Sequence, residues 1–446
     1  HVALKTKFPL SRELLGLAAP VIAQSFLQTL VVLVDRIMLG HYSTDALAAM
    51  QINGALLWSI TSIMSAFSVG AVALVGRGVG GSDRAFAAAT TRASLILALG
   101  IGILISVLGL LFLDAILSLF PIGGEGVQAA ARAYLTIVLL AMPMRILTLA
   151  AASMLQAAGN TSTPFLVALV ANGVNIGVNY CLIFGNLGAP ALGIRGAAIG
   201  SVTAMTINAI VLLTILSRPQ GILTLWGRGG ERDALKRLLR VSAPALGERL
   251  VQHVGFLGFV FLISALGSIA MAANQALDSI ESICYLSANG LGVAAAAIVS
   301  QSLGANRPQQ AFAGAKIATL FGVGLLGFFA CWFLLIPAQL LSVFTQNPDI
   351  IRTGVPCLYV AAAAQPFMAA SIVLGNALRG AGDTQTAFYV ALAGWLIVRL
   401  SATYFFAFVL DLGLVGVWMG STCDWAIRCL VLVLVFLRGE WRKVVV

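Results

Sequence analysis

Charged residues make up only 9% of this 446-residue chain, against 60% hydrophobic ones. Soluble domains carry roughly a quarter charged side chains, so a water-facing globule is excluded. Histidine is rarer still, with three residues, and none sits in a metal-binding pattern. The six cysteines, Cys181, Cys284, Cys331, Cys357, Cys423 and Cys429, fall in or beside apolar runs without ligand spacing. They read as small apolar filler, so neither zinc nor disulfides are expected. No Gly-x-Ser-x-Gly elbow, His-Glu-x-x-His pair or nucleotide loop occurs. Arg77-Gly78-Val79-Gly80-Gly81 is glycine-rich but lacks the Lys-Ser/Thr ending that cradles phosphate. An enzyme is therefore not expected, nor a cofactor, and ATP is not the energy source. Short alternating strands are missing too, which argues against a barrel.

Long apolar runs are abundant. A membrane span needs about 20 apolar residues, and such runs lie near residues 14–38, 46–76, 88–118, 127–155, 162–185, 190–217, 238–266, 272–302, 312–342, 349–379, 385–411 and 413–438. The expected fold is an all-α integral membrane protein with twelve transmembrane helices in two pseudo-symmetric six-helix bundles. The 46 glycines allow close helix approach. The net charge of +10 would point to nucleic acid in a soluble protein. Here the cations sort by side instead. Lys5, Lys7, Arg12, Arg77, Arg84, Arg218, Arg228, Arg232, Lys236, Arg237, Arg240, Arg307, Lys316, Arg379, Arg438, Arg442 and Lys443 fall on one side, while the other has little beyond Arg195 and Arg352. That asymmetry predicts a multi-pass protein of the inner (cytoplasmic) membrane with both termini cytoplasmic. Membrane lipids are its expected surroundings, nucleic acid is not a partner, and a monomer is expected. The first apolar run is too long for a cleavable signal peptide. Residues 218–240 form the long polar connection and should lie along the membrane surface.

The second half repeats the first at a spacing of about 224 residues. Pro20 and Pro244 each open a run and are followed eight residues on by Gln28 and Gln252. Ala48-Ala49-Met50-Gln51 returns as Ala272-Ala273-Asn274-Gln275, and Gly80 as Gly304. Ala158-Gly159-Asn160-Thr161 is echoed by Ala381-Gly382-Asp383-Thr384, and Gly196 through Gly200-Ser201 by Gly416 through Gly420-Ser421. The halves are read as an N-lobe, residues 1–222 with helices 1–6, and a C-lobe, residues 223–446 with helices 7–12. Two such bundles related by an axis along the membrane normal are a recurring build of secondary transporters.

Ionisable side chains inside spans are costly, so they mark cavities or partners. Asp35 lies deep in the first run, beside Arg36. Asn172, Asn175 and Asn179 recur at helical spacing in the fifth, close to one face. Together they form a candidate cation or proton site, the amides supplying oxygen ligands or hydrogen bonds to a protonated carboxyl. An ion pair with Arg36, or amides that merely bond neighbouring helices, is the plainer alternative. In the second half, Glu248 and Gln252 stack four apart, and Asp278 and Glu281 three apart. The close pair of acids is a second candidate proton site, unless Arg249 neutralises one of them. Asp424 and Arg428, at i and i+4, read as a structural ion pair. Arg145 and Arg399 are lone intramembrane arginines, open to an anionic substrate or to groups on adjacent helices.

Several stretches resemble the multidrug and toxic compound extrusion (MATE) transporters. They are Leu17-Ala18-Ala19-Pro20 with Val34-Asp35-Arg36-Ile37-Met38-Leu39-Gly40, Leu155-Gln156-Ala157-Ala158-Gly159-Asn160-Thr161, Gly193-Ile194-Arg195-Gly196-Ala197-Ala198, Ile280-Glu281-Ser282 with Gly290-Leu291-Gly292-Val293-Ala294-Ala295, and Leu378-Arg379-Gly380-Ala381-Gly382-Asp383-Thr384. The resemblance runs over nearly the whole chain. It implies an antiporter that exports organic, often cationic or amphipathic, drugs and toxins by alternating access in exchange for H⁺ or Na⁺. It assigns the cation or proton site to Asp35, Gln28, Asn175, Asn179 and Ser201, with Na⁺ possible at Asp35, Asn175, Asn179 and Ser201. Asn179 stands where several members have an aspartate. Glu248, Gln252, Asp278 and Glu281 remain secondary acidic candidates, Gln252 being the residue in register with a functional glutamate of another branch. Met38, Met64, Phe67, Met154, Phe256, Tyr285 and Met368 are candidate lining of a substrate cavity. A lipid or lipid-linked oligosaccharide flippase of the same superfamily is the alternative reading.

Overall fold

The structure, a computed structural model, describes residues 10–119, 124–219, 221 and 223–446. Lys5 and Lys7 lie outside the described residues. Within them the chain is helical and no strand occurs. Apolar helices satisfy their own backbone donors and acceptors, which is what a hydrocarbon environment requires of any spanning segment. The helices are α1 Leu10–Tyr42, α2 Thr44–Gly80, α3 Arg84–Leu111, α4 Leu113–Ser118, α5 Gly124–Leu140, α6 Met142–Ala157, α7 Ser162–Phe184, α8 Ile194–Leu216, α9 Glu231–Ser264, α10 Ser268–Gly304, α11 Pro308–Leu335, α12 Pro337–Ser342, α13 Pro348–Ala381, α14 Thr384–Leu392, α15 Leu400–Tyr404 and α16 Gly413–Arg438. Two π-helical stretches, Ala393–Arg399 and Phe405–Val409, join α14 and α15 into one span, Thr384–Val409.

Eleven helices among the described residues are long and apolar enough to cross a membrane. The pair α5 and α6, bent by 56°, makes the twelfth span. The sequence predicts one helix over residues 127–155, and the break falls where Pro143, second in α6, can neither donate to the preceding turn nor avoid its carbonyl. Repeat and structure agree to the residue. α2 maps onto α10, α3 and α4 onto α11 and α12, and the outer bounds of α5 and α6 onto α13, each at an offset of 224. α13 stays unbroken although Pro356 and Pro366 lie inside it.

By contacts the chain divides into two compact units, one of residues 1–22, 72–82 and 240–446, the other of residues 23–71 and 83–239. The first is centred on α10 and α13, whose apolar windows are 67% and 72% buried. Gly380 lets them approach closely, since a Cβ there would meet the Ala296 backbone at 2.5 Å. The end of α2 packs on the end of α10 in the same way, with Gly80 against the Gln301 backbone and Gly304 against that of Arg77. The Arg77 guanidinium then donates to the carbonyls of Ala381 and Val444, both at 3.0 Å. The second unit has its own core, in which Leu39, Tyr134, Leu135, Met142 and Ile183 are buried. There Arg92 holds the polar connection, pairing with Glu231 at 2.7 Å and donating to the carbonyls of Trp226 and Gly229. Of the six cysteines, Cys284 and Cys357 are buried as filler, whereas Cys331 is exposed.

Candidate functional site

Asp35 sits on α1 and is 7% exposed, with Asn175 and Asn179 of α7 buried at 3% and 0%. The Asn179 Nδ2 donates to Asp35 Oδ1 at 2.7 Å, and the Asn175 side chain lies near enough to act on the carboxylate electrostatically. The Arg36 guanidinium makes no ion pair with Asp35 among the described residues, and lines a shallow surface hollow with Gly40, His41 and Leu47. Asn172 is only half buried. The amide stripe therefore serves the carboxylate through its two deeper members.

Two atoms give this cluster its chemistry. The Oδ1 atoms of Asn175 and Asn179 are both buried and accept no hydrogen bond. Leaving a buried carbonyl unsatisfied costs about 1–3 kcal/mol. Beside a carboxylate, the pair makes an all-oxygen set that a cation, or a proton on Asp35, would satisfy. Gly200 of α8 makes the arrangement possible, because a Cβ there would collide with both amide oxygens. Ser201, next along, faces the hydroxyl of Tyr134 at 3.4 Å. Gln28 is exposed and makes no hydrogen bond to the cluster among the described residues. The sequence reading missed Tyr134 and Gly200. Gly200 carried a signal in the four-residue ladder Gly196, Gly200, Ala204, a small-residue face against which α7 can close. Tyr134 carried none.

The second-half candidates separate into two groups. Glu248 pairs with Arg379 of α13 at 2.6 Å, and Gln252 accepts from Arg249 at 3.3 Å. Asp278 accepts from Asn274 at 2.9 Å, and Glu281 from Gln365 at 3.3 Å. Arg249 makes no ion pair with either acid among the described residues; it is Arg399 that reaches both electrostatically. Arg399 and Arg428 clasp Asp424 from two sides, Arg399 Nε at 2.7 Å and Arg428 Nε at 2.6 Å, with Arg428 Nη2 also in contact. Arg145 donates to Thr61 at 2.9 Å.

Arg399 stands at the repeat counterpart of the Asp35 cluster. Gly200 abuts Asn179, and Gly420 abuts Thr403; Gly196 abuts Leu182 and Ile183, and Gly416 abuts Phe406 and Ala407. That register places Phe259 where the first half has Asp35, Arg399 for Asn175 and Thr403 for Asn179. Arg399 lies over the Phe259 ring at 5.6 Å, as Asn175 meets Asp35. The two halves thus share a geometry and differ in sign.

Of the proposed cavity lining, Tyr285 borders a cavity within its own unit. Met154 and Met368 are buried in helix packing at 0% and 1% exposure. Met38 packs against the core of its unit. Met64 and Phe67 are half buried and Phe256 is exposed.

The MatE family model matches residues 20–181 and again residues 244–405, the second match starting 224 residues after the first. A probable multidrug resistance protein NorM of Pseudomonas putida is 31% identical over 458 residues, covering 99% of this chain and 96% of that protein. Its namesake in Thermotoga maritima is 28% identical over 441 residues, with 97% and 93% covered. Among solved structures, an outward-facing multidrug resistance MATE family transporter of the MOP superfamily superposes with a TM-score of 0.90 at 19% identity, over 99% of this chain and 100% of that one.

Proposed function

The chain belongs to the MATE family, and from that membership we propose that it is a multidrug efflux transporter that exchanges organic, often cationic or amphipathic, compounds for a monovalent cation, H⁺ or Na⁺, at Asp35. The observation that carries this reading is the buried carboxylate flanked by two carboxamide oxygens that accept no hydrogen bond. The cation would be held by Asp35, Asn175 and Asn179, with Ser201 and the Tyr134 hydroxyl bordering them. Cation and drug favour different conformations, and each can shift the equilibrium only by its difference in affinity for the two. The cycle alternates access across the cytoplasmic membrane, with both termini on the inside, as the sorting of Lys and Arg supports. Asp278 and Glu281 remain a second place where a proton can reside.

The test is efflux of a fluorescent organic amphipath from proteoliposomes under a pH gradient or a Na⁺ gradient, imposed separately. Drive by Na⁺ alone makes the four oxygens a cation cage; drive by pH alone makes Asp35 a proton carrier supported by the amides. Asp35→Asn should insert and fold normally and lose exchange under the effective gradient. Full exchange in that variant would move coupling to Asp278 and Glu281. Dye movement that neither gradient accelerates would contradict antiport.

A further inference from the structure

Helices α9, α10, α13, α14 and α16 border a partly open cavity of about 70 Å³ whose walls carry an excess of positive charge. A buried water occupies about 10–15 Å³ on this measure, so the space suits a small charged head group rather than a whole drug. Three guanidiniums line it, those of Arg249, Arg379 and Arg428, against one carboxylate, Glu248. Glu248 is already committed to Arg379 at 2.6 Å. Arg428 shares Asp424 with Arg399, and the further charge of Arg399 is faced by Asp278 and Glu281. Arg249 has no carboxylate within salt-bridge distance among the described residues, and its partner is the neutral Gln252 Oε1. Arg249 is therefore left without a counter-charge beside this partly polar space. A half-buried guanidinium without a carboxylate partner is available to pair with an anion.

The repeat supports the same polarity. At the positions of Asp35, Asn175 and Asn179 this half has Phe259, Arg399 and Thr403. Arg399 Nη2 and Thr403 Oγ1 are both buried without a hydrogen-bond partner. Where the first half offers oxygen acceptors, the second offers donors. The aromatic walls fit an organic anion: Trp395 and Trp425 border the cavity, with the Arg399 guanidinium 4.0 Å from the Trp395 ring and that of Arg428 4.5 Å from Trp425.

We propose that this cavity is an anion site that takes the carboxylate head of an organic substrate, with Arg249 as its free pairing group. The assignment rests on the export reading above and names the substrate class, amphipaths bearing a carboxylate. Guanidinium and carboxylate match as a charge-assisted pair, and the wall carboxamides of Asn289 and Asn376 can add neutral contacts.

The experiment titrates the purified full chain, in neutral detergent at low ionic strength, with benzoate, benzylammonium and chloride, reading intrinsic tryptophan fluorescence. Saturable quenching by benzoate and none by benzylammonium is expected. Arg249→Gln should weaken the benzoate response by about tenfold or more, as loss of a charge-assisted hydrogen bond implies, and Arg249→Lys should recover part of it. Benzylammonium binding as tightly as benzoate, or Arg249→Gln leaving benzoate unchanged, would overturn the assignment. Competition by chloride at equal concentration with equal strength would reduce the site to one for inorganic anions and overturn the carboxylate claim. Should Arg249→Gln fail to fold, the charge selectivity of the unaltered chain still decides. Dye efflux in proteoliposomes is run alongside. Efflux without benzoate binding sinks this proposal alone, whereas benzoate binding without any gradient-driven efflux sinks the export reading and leaves an anion-binding cavity.

Discussion

Gly200 is worth more to the Asp35 site than its lack of a side chain implies. Because a Cβ there would collide with the oxygens of Asn175 and Asn179, Gly200→Ala must push α8 away or turn the amides. Overpacking of this kind costs about 1–3 kcal/mol. We expect the variant to melt lower and to lose cation-driven exchange, while Gly177→Ala, where a Cβ meets nothing, leaves both unchanged; equal effects would refute the contact. Asn179→Ala removes the 2.7 Å donor to Asp35 and should weaken the coupling cation by about tenfold, the worth of one such bond, read from the gradient needed for half-maximal efflux. Asp424→Asn leaves Arg399 and Arg428 without their shared carboxylate. Breaking a buried pair costs about 3–5 kcal/mol, so loss of folded protein in a detergent thermal melt is expected, in contrast to Asp35→Asn. Asp35 and the asparagines were legible because polar residues in an apolar run announce themselves. Asp424 and Arg428 were legible as a pair at i and i+4, whereas Tyr134 and the reach of Arg399 to Asp424 were not, since only packing brings those partners together.

Element bounds followed from apolar length, and the failures have local causes. The break between α5 and α6 traces to Pro143, yet Pro356 and Pro366 leave α13 continuous. Proline in a buried helix is a permission to bend, and neighbouring helices decide whether it is used. The π-helical stretches were invisible because each amounts to an extra residue within a continuous apolar run. Ala158-Gly159 and Ala381-Gly382 are 223 apart, whereas the Gly196 and Gly416 contacts imply 224 farther along. The stretch Ala393–Arg399 supplies the difference and turns Arg399 onto the face that Asn175 occupies in α7. In α1, Pro20 lies inside a 33-residue helix, and the division between compact units falls just after it, at residue 22. A missing backbone donor weakens the ladder there. Pro20→Ala should therefore slow turnover several-fold with substrate affinity unchanged; an unaltered rate would remove α1 bending from the cycle.

At the scale of the whole chain, the repeat preserves the scaffold and lets the sites diverge. The ends of α2 to α6 and the Gly80 and Gly304 crossing coincide at an offset of 224, because small residues at close approaches tolerate no substitution without moving a backbone. Side chains facing the interior of each half are under no such constraint, and there a carboxylate with two amides has become a phenylalanine, an arginine and a threonine. The change of sign has a consequence for stoichiometry. A cation cannot be held at Phe259 and Arg399, so the proposed Asp35 position has no counterpart at the equivalent place in the other half. We expect one coupling cation at Asp35 per transport cycle, measured as the ratio of cation to dye flux in proteoliposomes at a clamped membrane potential. Asp35→Asn should bring the cation flux to background rather than halve it. A residual coupled flux near half of the original would place a second cation in the other half, with Asp278 and Glu281 as its carboxylates, and the divergence of sign would then be confined to the Arg399 clasp.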